Sequence, residues 1–538
     1  MNVFNPRFPG VAPHDFARVP RVEAKRSAFK AESRITTMFD EGKLIPLPPI
    51  EVIPGDTFKI DASMLCRLNT PIVPFMSGLY LHSAYFFVPY RILWTNWKKF
   101  MGEKDNPGDS TTYTVPVITG PAAGFAVETV YDYMGIPINM TKNVNALPLR
   151  AYNRIYQDFF RDQNIINSPT INTGDGPDTD TDYTVRRVAK YHDYFTSCLP
   201  APQYGTAASF SLTGTAPVTG IAKVNQAFTW GSQAGYETNQ TNPTYNPSAS
   251  FYQSPGAGDN AFIVKGTAGS GGYPMIYADL SNVSGLTIAE FRETIQLQAL
   301  AEVENRGGHR YVEILYSVYN VIHPDFTLDN PEYLGGSKTP IYVVPVPQTS
   351  ATSGSEPQGQ LAAYGSGFKT RDGFTKSFTE HGVVIPLVWV RSDASNVYSQ
   401  GLHRMWTRST KYDFFNPFLQ NIGDQAVLRQ EIYLADNDAS SDNTVFGYQE
   451  RYAEYMYLPS FITGKLRPAY ATPYDYWHLS PELGSAPTLS QTFIEEDAPM
   501  DRVVAVATEP DFVMDVYIDA TLVRPMSMHS IPGMLPRL

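Results

Sequence analysis

A stretch of alternating apolar and polar residues near the start of the chain constrains the fold most. Every even position from Phe58 to Leu68 is apolar, and most odd positions, beginning with Lys59, are polar or charged. A period of two places alternate side chains on opposite faces of an extended backbone. Pro54-Gly55-Asp56 before this stretch and Thr70-Pro71 after it are typical turn sequences. We therefore predict a half-buried β-strand between them.

Two other stretches predict strands. Residues 79–88 are rich in aromatic and β-branched side chains and stop at Pro89. Near the other end of the chain, the even positions from Phe512 to Leu522 are apolar and the odd positions are mostly polar. Well-patterned strands at both ends of a chain would leave two exposed sheet edges unless other strands cover them.

The composition favours a β-rich protein with many loops. The 538 residues include 43 Pro and 39 Gly, which suit turns between short strands better than long helices, and 43% are hydrophobic, which is ample for a core. We predict only a few helices. One covers residues 146–163, and another begins at a capping box of Thr287 and Glu290 and ends at Gly307-Gly308, with a further strand expected after it.

The charge is unevenly distributed, because a basic N-terminal segment precedes an acidic body. The formal net charge is −12, yet residues 1–34 carry a basic excess. The basic residues of this arm are Arg7, Arg18, Arg21, Lys25, Arg26, Lys30 and Arg34. Its prolines and lack of periodicity predict an extended arm that either is a flexible terminus with solvated charges or binds DNA through phosphates.

Residues 201–283 differ from the rest in composition. Charged side chains are rare there, and Gly, Ser, Thr, Asn and Pro surround scattered aromatic residues, which are candidates for contact with a host surface. These aromatic residues are Phe228, Trp230, Tyr236, Tyr245, Phe251 and Tyr252. Such a segment either is a disordered linker or packs against copies of itself.

Sequence patterns for catalysis or cofactor binding are missing. No H-E-x-x-H, G-x-S-x-G, phosphate-cradling G-x-x-x-x-G-K-[ST] or C-x-x-C occurs, so we predict no enzyme, no cofactor and no metal. Asp178, Asp180 and Asp182 alternate like calcium ligands, but the Gly and Glu of a calcium loop are absent, which indicates an acidic surface loop. Glu495-Glu496-Asp497 indicates a solvated turn, and Cys66 a buried free thiol.

Two short segments interleave cations with aromatic side chains. This combination suits single-stranded nucleic acid, because bases stack on rings while cations pair with phosphates. It is equally typical of contacts between subunits, where Arg and aromatic residues are enriched. The first segment contributes Arg91, Trp94, Trp97, Lys98 and Lys99, and the second Arg404, Trp406 and Arg408.

Several sequence blocks, in a fixed order, resemble a known family. The chain contains GKLIP (42–46), EVIPGDTF (51–58), RLNTPIVPFM (67–76) and FFVPYRILWTNWKKFMGE (86–103). Further blocks continue to RPMSMHSIPG (524–533). Their order and spacing resemble the major capsid proteins of Microviridae, the small icosahedral single-stranded DNA phages, particularly the gokushovirus branch.

This resemblance implies a single viral jelly roll, an antiparallel two-sheet β-sandwich in which the first and last strands lie side by side. It implies a domain over residues 35–538, with 201–283 as a surface insertion that forms threefold protrusions. It also implies a homo-oligomeric T=1 shell around circular single-stranded DNA, assembled in the bacterial cytoplasm.

The expected partners are a minor pilot protein, a small internal DNA-binding protein and a host cell-surface receptor. No apolar run reaches the ~20 residues that a membrane-spanning helix needs. The alternative is a carbohydrate-binding or glycoside-hydrolysing β-sandwich with aromatic loops as sugar platforms.

Overall fold

The computed structural model describes residues 25–206, 287–354, 357–434 and 442–529, and the backbone of four short strands between 218 and 278. The chain divides into two compact units, Met1–Pro202 with Val303–Leu538, and Gln203–Glu302. The predicted insertion, 201–283, falls largely within the second unit.

The first unit is built mainly from antiparallel strands. Before residue 200 these are β1 Ser27–Phe39, β2 Lys43–Pro46, β3 Ile50–Val52, β4 Thr57–Leu68, β5 Leu79–Pro89, β6 Val117–Ile118, β7 Val144–Asn145 and β8 Arg186–Arg187. The second unit contains β9 Val218–Thr219, β10 Thr229–Trp230, β11 Gln233–Ala234 and β12 Tyr277–Ala278, in which β9 pairs with β12 and β10 with β11. The remaining strands are β13 Glu332–Pro347, β14 Leu361–Ser377, β15 Gly382–Ser392, β16 Asp424–Leu428, β17 Val445–Glu450 and β18 Phe512–Arg524.

The helices are few and mostly short. They are α1 Tyr90–Leu93, α2 Trp97–Phe100, α3 Val130–Tyr133, α4 Leu147–Ile155, α5 Ile288–Gly307, α6 Tyr311–Tyr319 and α7 Gln491–Ile494. The helix predicted over 146–163 corresponds to α4 and a following π-helical turn, Tyr156–Phe160. The capping box predicted at the start of α5 is present, because the Glu290 carboxylate accepts the Thr287 backbone N–H at 2.9 Å.

One large sheet organises the first unit. Its strand order is β1-β18-β4-β14-β13-β5-β15-β2-β8, with β3 also paired to β15, and its strand pairs are antiparallel. The predicted strands at 58–68, 79–88 and 512–522 are confirmed as β4, β5 and β18. The first and last predicted strands lie side by side, with Ile518 opposite Ala62. This curled antiparallel sheet is consistent with the expected jelly-roll β-sandwich.

The core lies on the inner face of this sheet and explains the alternating pattern. Phe58 and Met64 of β4 and Phe512 and Val516 of β18 are buried there, as is the free thiol of Cys66, confirming the prediction for that residue. Burial raises the pKa of this thiol to about 12, so it stays protonated and inert.

Strands β5 and β15 show no alternation because both of their faces are covered. The odd residues of β5 face the main core, while the even residues pack with α4 against a second core. The apolar run Val383–Val390 lies in β15 and behaves in the same way. Strands covered on both faces read as continuous hydrophobic runs.

The strand expected after Gly308 is wrong, since α6 Tyr311–Tyr319 is a helix. The Glu313 carboxylate accepts the Arg310 backbone N–H at 3.1 Å, a contact that caps the start of a helix. Tyr311, Leu315 and Val318 also recur at intervals of three and four residues. The local capping contact and the helical spacing together outweigh the β-branched composition of this stretch.

Candidate functional site

The basic arm is only partly covered by the described residues. Arg7, Arg18 and Arg21 lie outside them. Lys25 and Arg26 are exposed, and Arg26 donates to the Gly55 carbonyl at 2.7 Å. The arm was predicted to lack periodicity up to residue 34, but β1 begins at Ser27 and pairs along its length with β18.

Two cations of the arm are therefore held on the sheet. Arg34 makes two hydrogen bonds to the Asp515 carboxylate, at 2.9 and 2.7 Å. Lys30 forms an ion pair with Glu32 at 2.6 Å. These exposed pairs contribute little to stability, but they give both cations carboxylate partners that would compete with a phosphate.

The first aromatic–basic segment, Tyr90–Met101, is named the Trp94 segment below. Trp94 is fully buried, and its indole N–H donates to the Asp175 carboxylate at 2.7 Å. Its ring packs against Trp97 and Phe100, at centroid distances of 6.2 and 5.3 Å. Trp94 thus belongs to the core of the subunit, and its ring is not available to stack on a base.

The cations of the Trp94 segment are mostly paired. Arg91 donates to the Glu380 carboxylate at 2.7 Å and also contacts Asp329. Lys99 lies 3.5 Å from Asp105, whereas Lys98 is exposed. Within this segment, Lys98 is the predicted site cation that faces solvent without a carboxylate partner in the described part of the chain.

The second aromatic–basic segment, His403–Phe418, is named the Trp406 segment below. Its buried side is anchored by two arginines: Arg404 donates to the Ala426 carbonyl at 2.8 Å, and Arg408 lies 3.4 Å from Glu454 and stacks 4.1 Å above the Tyr455 ring. Trp406 lies in a short 3-10 turn and is 71% exposed. This arrangement presents the indole to solvent on a fixed backbone.

Further apolar side chains are exposed in the Trp406 segment and in residues 452–458, which contact it through Tyr452 and Tyr455. Phe418 and Leu458 are each 95% exposed, so nearly all of their apolar surface faces water. Phe415 connects the Trp406 segment with residues 452–458, because the centroid of its ring lies 5.3 Å from that of Tyr452. The other exposed members are Met405, Tyr412, Phe414, Tyr455 and Met456. Sequence reasoning did not single out Phe418 or Leu458, although FFNPF in a stretch without periodicity was an available signal.

The turn predicted at Glu495–Asp497 is not solvated at its centre, and that prediction is wrong. Glu496 is fully buried beside the buried Glu41. The Ser392 backbone N–H lies between them, 3.2 Å from a Glu41 carboxylate oxygen and 3.3 Å from a Glu496 one. Ala498 N–H and Ser395 Oγ–H occupy the other oxygens, at 3.0 and 2.9 Å. Partners distant in sequence bury this pair, so the local sequence gave no sign of it.

The electrostatics of this carboxyl pair favour the protonated form of Glu41. Burial raises the pKa of Glu41 well above its usual range, and the neighbouring Glu496 carboxyl raises it further. Lys190 and Arg391 interact electrostatically with both carboxyls and partly offset their charge. All four carboxyl oxygens accept protein hydrogen bonds, so neither group is presented to a ligand as a catalytic carboxylate would be.

The acidic loop at 174–183 was predicted to lie on the surface, but its Asp178 is buried. Asp178 is buried and forms two hydrogen bonds with Arg150, at 2.7 and 2.6 Å, while Tyr183 donates to it at 2.6 Å. Burial opposes ionisation of Asp178, but these donors outweigh it and its pKa lies below the usual value. Asp178 is therefore a structural charge, and no cluster of three or more possible metal ligands occurs among the described residues.

None of the six proposed host-contact side chains is among those the structure describes. Phe228, Tyr236, Tyr245, Phe251 and Tyr252 lie outside the described residues. Only the backbone of Trp230 is described, in β10.

Comparison with known proteins identifies the family. A family model described as "Capsid protein (F protein)" matches residues 17–534. The chain belongs to this capsid protein family. The capsid protein is 42% identical to Capsid protein VP1 of Bdellovibrio phage phiMH2K, over 97% of this chain and 98% of the relative. It is 36% identical to Capsid protein VP1 of Chlamydia phage 1, over 98% and 99% of the two chains.

A third relative extends the same result. Capsid protein VP1 of Spiroplasma virus 4 is 33% identical over 97% of both chains. The resemblance to Microviridae major capsid proteins is thereby confirmed, and the family gives this capsid protein a structural role in a virion. Within the described residues, no helix has the length and hydropathy needed to cross a membrane.

Proposed function

We propose that this protein assembles into a T=1 icosahedral shell that encloses circular single-stranded DNA. Family membership supports the capsid role, and the exposed apolar side chains of the Trp406 segment and of residues 452–458, called the exposed apolar cluster, support extensive contact between subunits. Fully exposed groups such as Phe418 and Leu458 are costly in water and gain most when a neighbouring copy covers them. This cluster is the observation that carries the proposal of self-assembly.

The remaining partners follow from the same role. The basic arm contacts the DNA, and the low-charge insertion, 201–283, contacts a host surface receptor. A minor pilot protein and a small internal DNA-binding protein complete the particle, which assembles in the bacterial host cytoplasm. The carbohydrate-active alternative gains no support from the Glu41–Glu496 pair, because those carboxyls are buried and occupied by internal donors.

The proposal is tested by electron microscopy and size-exclusion chromatography of protein purified from expressing or infected cells, with nuclease treatment before DNA extraction. We expect uniform small shells that contain protected single-stranded DNA. A monodisperse monomer from both sources would overturn the proposal.

A deletion tests the arm separately. Because β1 begins at Ser27, the deletion should remove residues 1–24 and leave the strand intact. We expect shells to form with less DNA per particle, since fewer cations remain to neutralise phosphates. Unchanged DNA content in intact shells would contradict a DNA-binding role for the arm.

Trimming residues 204–283 tests the insertion. We expect assembly to continue while attachment to host cells is lost, because the proposed contact surface is gone. Attachment at the wild-type level would contradict this role.

A further inference from the structure

A second exposed aromatic surface lies on the solvent-facing side of the main sheet and shares no residue with the two aromatic–basic segments. Strand pairing places Arg67 of β4 opposite Ser366 of β14, and Ser366 opposite Tyr342 of β13. In the adjacent rows, Leu65 lies opposite Phe368 and Tyr364 opposite Val344. We name this surface, formed by Leu65, Arg67, Tyr342, Val344, Tyr364 and Phe368, the Tyr364 face.

The Tyr364 face is exposed because its residues alternate with the core. Met64, Cys66 and Ile341 point inward and are buried. Tyr342 is 66% exposed, Phe368 63% and Tyr364 53%. None of these three rings packs against another ring in the described part of the chain. Successive rows are about 7 Å apart, so each ring has room for a separate planar partner.

The charge of this face favours a negatively charged ligand. Arg67 is exposed and has no carboxylate partner among the described residues. The β14 bulge adds the exposed Arg371, in a left-handed backbone conformation just beyond Phe368. The nearest carboxylate across the sheet, Asp515 opposite Leu65, is occupied by Arg34. The carboxylates Asp61 and Asp519 lie opposite each other about 13 Å along the strands from Leu65.

This chemistry matches single-stranded nucleic acid better than duplex. Exposed rings on a rigid sheet stack on unpaired bases, and nearby arginines pair with phosphates. A duplex keeps its base faces stacked internally and could use only the cations. The rings would contribute binding energy without sequence preference, because every base has a stacking face.

We propose that the Tyr364 face binds the packaged single-stranded DNA, with Tyr342, Tyr364 and Phe368 stacking on bases and Arg67 pairing with phosphate. In the assembled particle, this solvent-facing side of the sheet would then face the interior of the shell. This inference rests on the proposed function, since it assigns to one surface the DNA that the shell encloses.

The first experiment measures binding of a fluorescent single-stranded oligodeoxythymidine to the purified full-length protein by anisotropy. We expect Tyr364→Ala and Phe368→Ala each to weaken binding about tenfold, because stacking on one ring contributes roughly that factor. Phe368→Tyr should retain wild-type affinity. Tyr319→Ala, which removes an equally exposed ring from α6, serves as the matched control and should leave affinity within about twofold.

The salt dependence of the same binding separates the cation from the rings. Arg67→Gln should make the slope of log affinity against log salt shallower by the contribution of about one phosphate contact. The ring variants should keep the wild-type slope. Equal slopes for Arg67→Gln and wild type would contradict the assigned role of Arg67.

A particle experiment keeps this inference distinct from the proposed function. The double variant Tyr364→Ala with Phe368→Ala should form shells with reduced nuclease-protected DNA. Normal DNA content and normal oligonucleotide affinity in the double variant would overturn the Tyr364 face while leaving the shell intact. Loss of shells at unchanged oligonucleotide affinity would also overturn it, assigning the face to contact between copies. Failure of the wild type to form shells would instead overturn the proposed function.

Discussion

The Trp94 and Trp406 segments have similar compositions but differ in the burial of their tryptophans. Both combine tryptophan with closely spaced cations. In the first, the indole is fully buried and its N–H is bonded to Asp175, whereas in the second the indole is 71% exposed. The difference lies in the surroundings, because α4 and the 174–183 loop cover the first segment, whereas the described residues leave most of the Trp406 indole exposed to solvent. A segment that combines aromatic and basic residues can therefore be either buried in the core or exposed on the surface.

The arginines show the same contrast. The guanidinium of Arg150, from α4, donates to the Leu93 carbonyl at 3.1 Å. This buried hydrogen bond holds the Trp94 segment against the core. Arg408 lies in the Trp406 segment itself and fastens it to Glu454 from beneath. One segment is therefore part of the core, and the other is a rigid platform that leaves its apolar side chains free for a partner.

The largest expected effect comes from the matched substitutions Trp94→Ala and Trp406→Ala. Trp94→Ala should lower the free energy of unfolding by about 3–5 kcal/mol, because it leaves a cavity and removes the bond to Asp175. Trp406→Ala should change it by less than about 0.5 kcal/mol. Urea denaturation of both variants, with wild type alongside, measures the difference.

The yield of assembled shells tests the role of the exposed Trp406. Trp406→Ala should lower the yield of shells, since an interface tryptophan typically contributes about 2 kcal/mol or more to association. Equal destabilisation by both substitutions would show that the two segments are equivalent. Normal assembly of Trp406→Ala would show that the exposed indole is not an interface residue.

The next largest effect should come from Asp178→Asn, which tests the anchor of the Trp94 segment. This substitution leaves the buried Arg150 charge without its carboxylate, but keeps an acceptor for Tyr183. We expect a loss of about 3 kcal/mol in the free energy of unfolding, at the low end for a broken buried ion pair. Asp515→Asn removes the surface partner of Arg34 and should cost far less, because solvent screens that pair. Similar losses in the two variants would contradict the distinction between buried and surface pairs.

Much of the strand framework was predictable from the sequence. Residues 58–68 and 512–522 face the core on one side only, so burial leaves a period of two in the sequence. Strand β1 carries a weaker version of this signal, because Phe29, Ala31 and Ile35 are only partly buried. The charged residues between them obscure the period of two, so the sequence predicts an arm where the structure has a strand.

The exposure of the candidate site residues was not predictable. Trp94 is buried by groups some eighty residues away, such as Asp175, and Glu496 by Glu41 from the other end of the chain. The Tyr364 face likewise depends on strand register, which pairs β4 with β14 across about three hundred residues of sequence. Local composition contains no record of these contacts.

The smallest expected effect concerns pH and the Glu41–Glu496 pair, which lies outside both segments. Because the pKa of Glu41 is raised in the folded state, the unfolded chain releases this proton at lower pH than the folded chain does. Stability from this group is complete below the ordinary glutamate pKa of about 4.3 and falls as pH rises above it. Asp511, whose pKa burial raises to about 6, changes stability in the same direction.

Glu41→Gln should therefore flatten the decline in stability that begins as pH rises above about 4.3, because the neutral amide has no proton to release. Glutamine keeps an acceptor for Ser392 or Ala498 and can donate its amide to Glu496, so the packing is retained. Thermal unfolding as a function of pH, with the exposed Glu103→Gln as control, measures the slope. Trp406→Ala should keep the wild-type slope, because its segment does not contact the pair, and an unchanged slope in Glu41→Gln would show that Glu41 is ionised in the folded capsid protein.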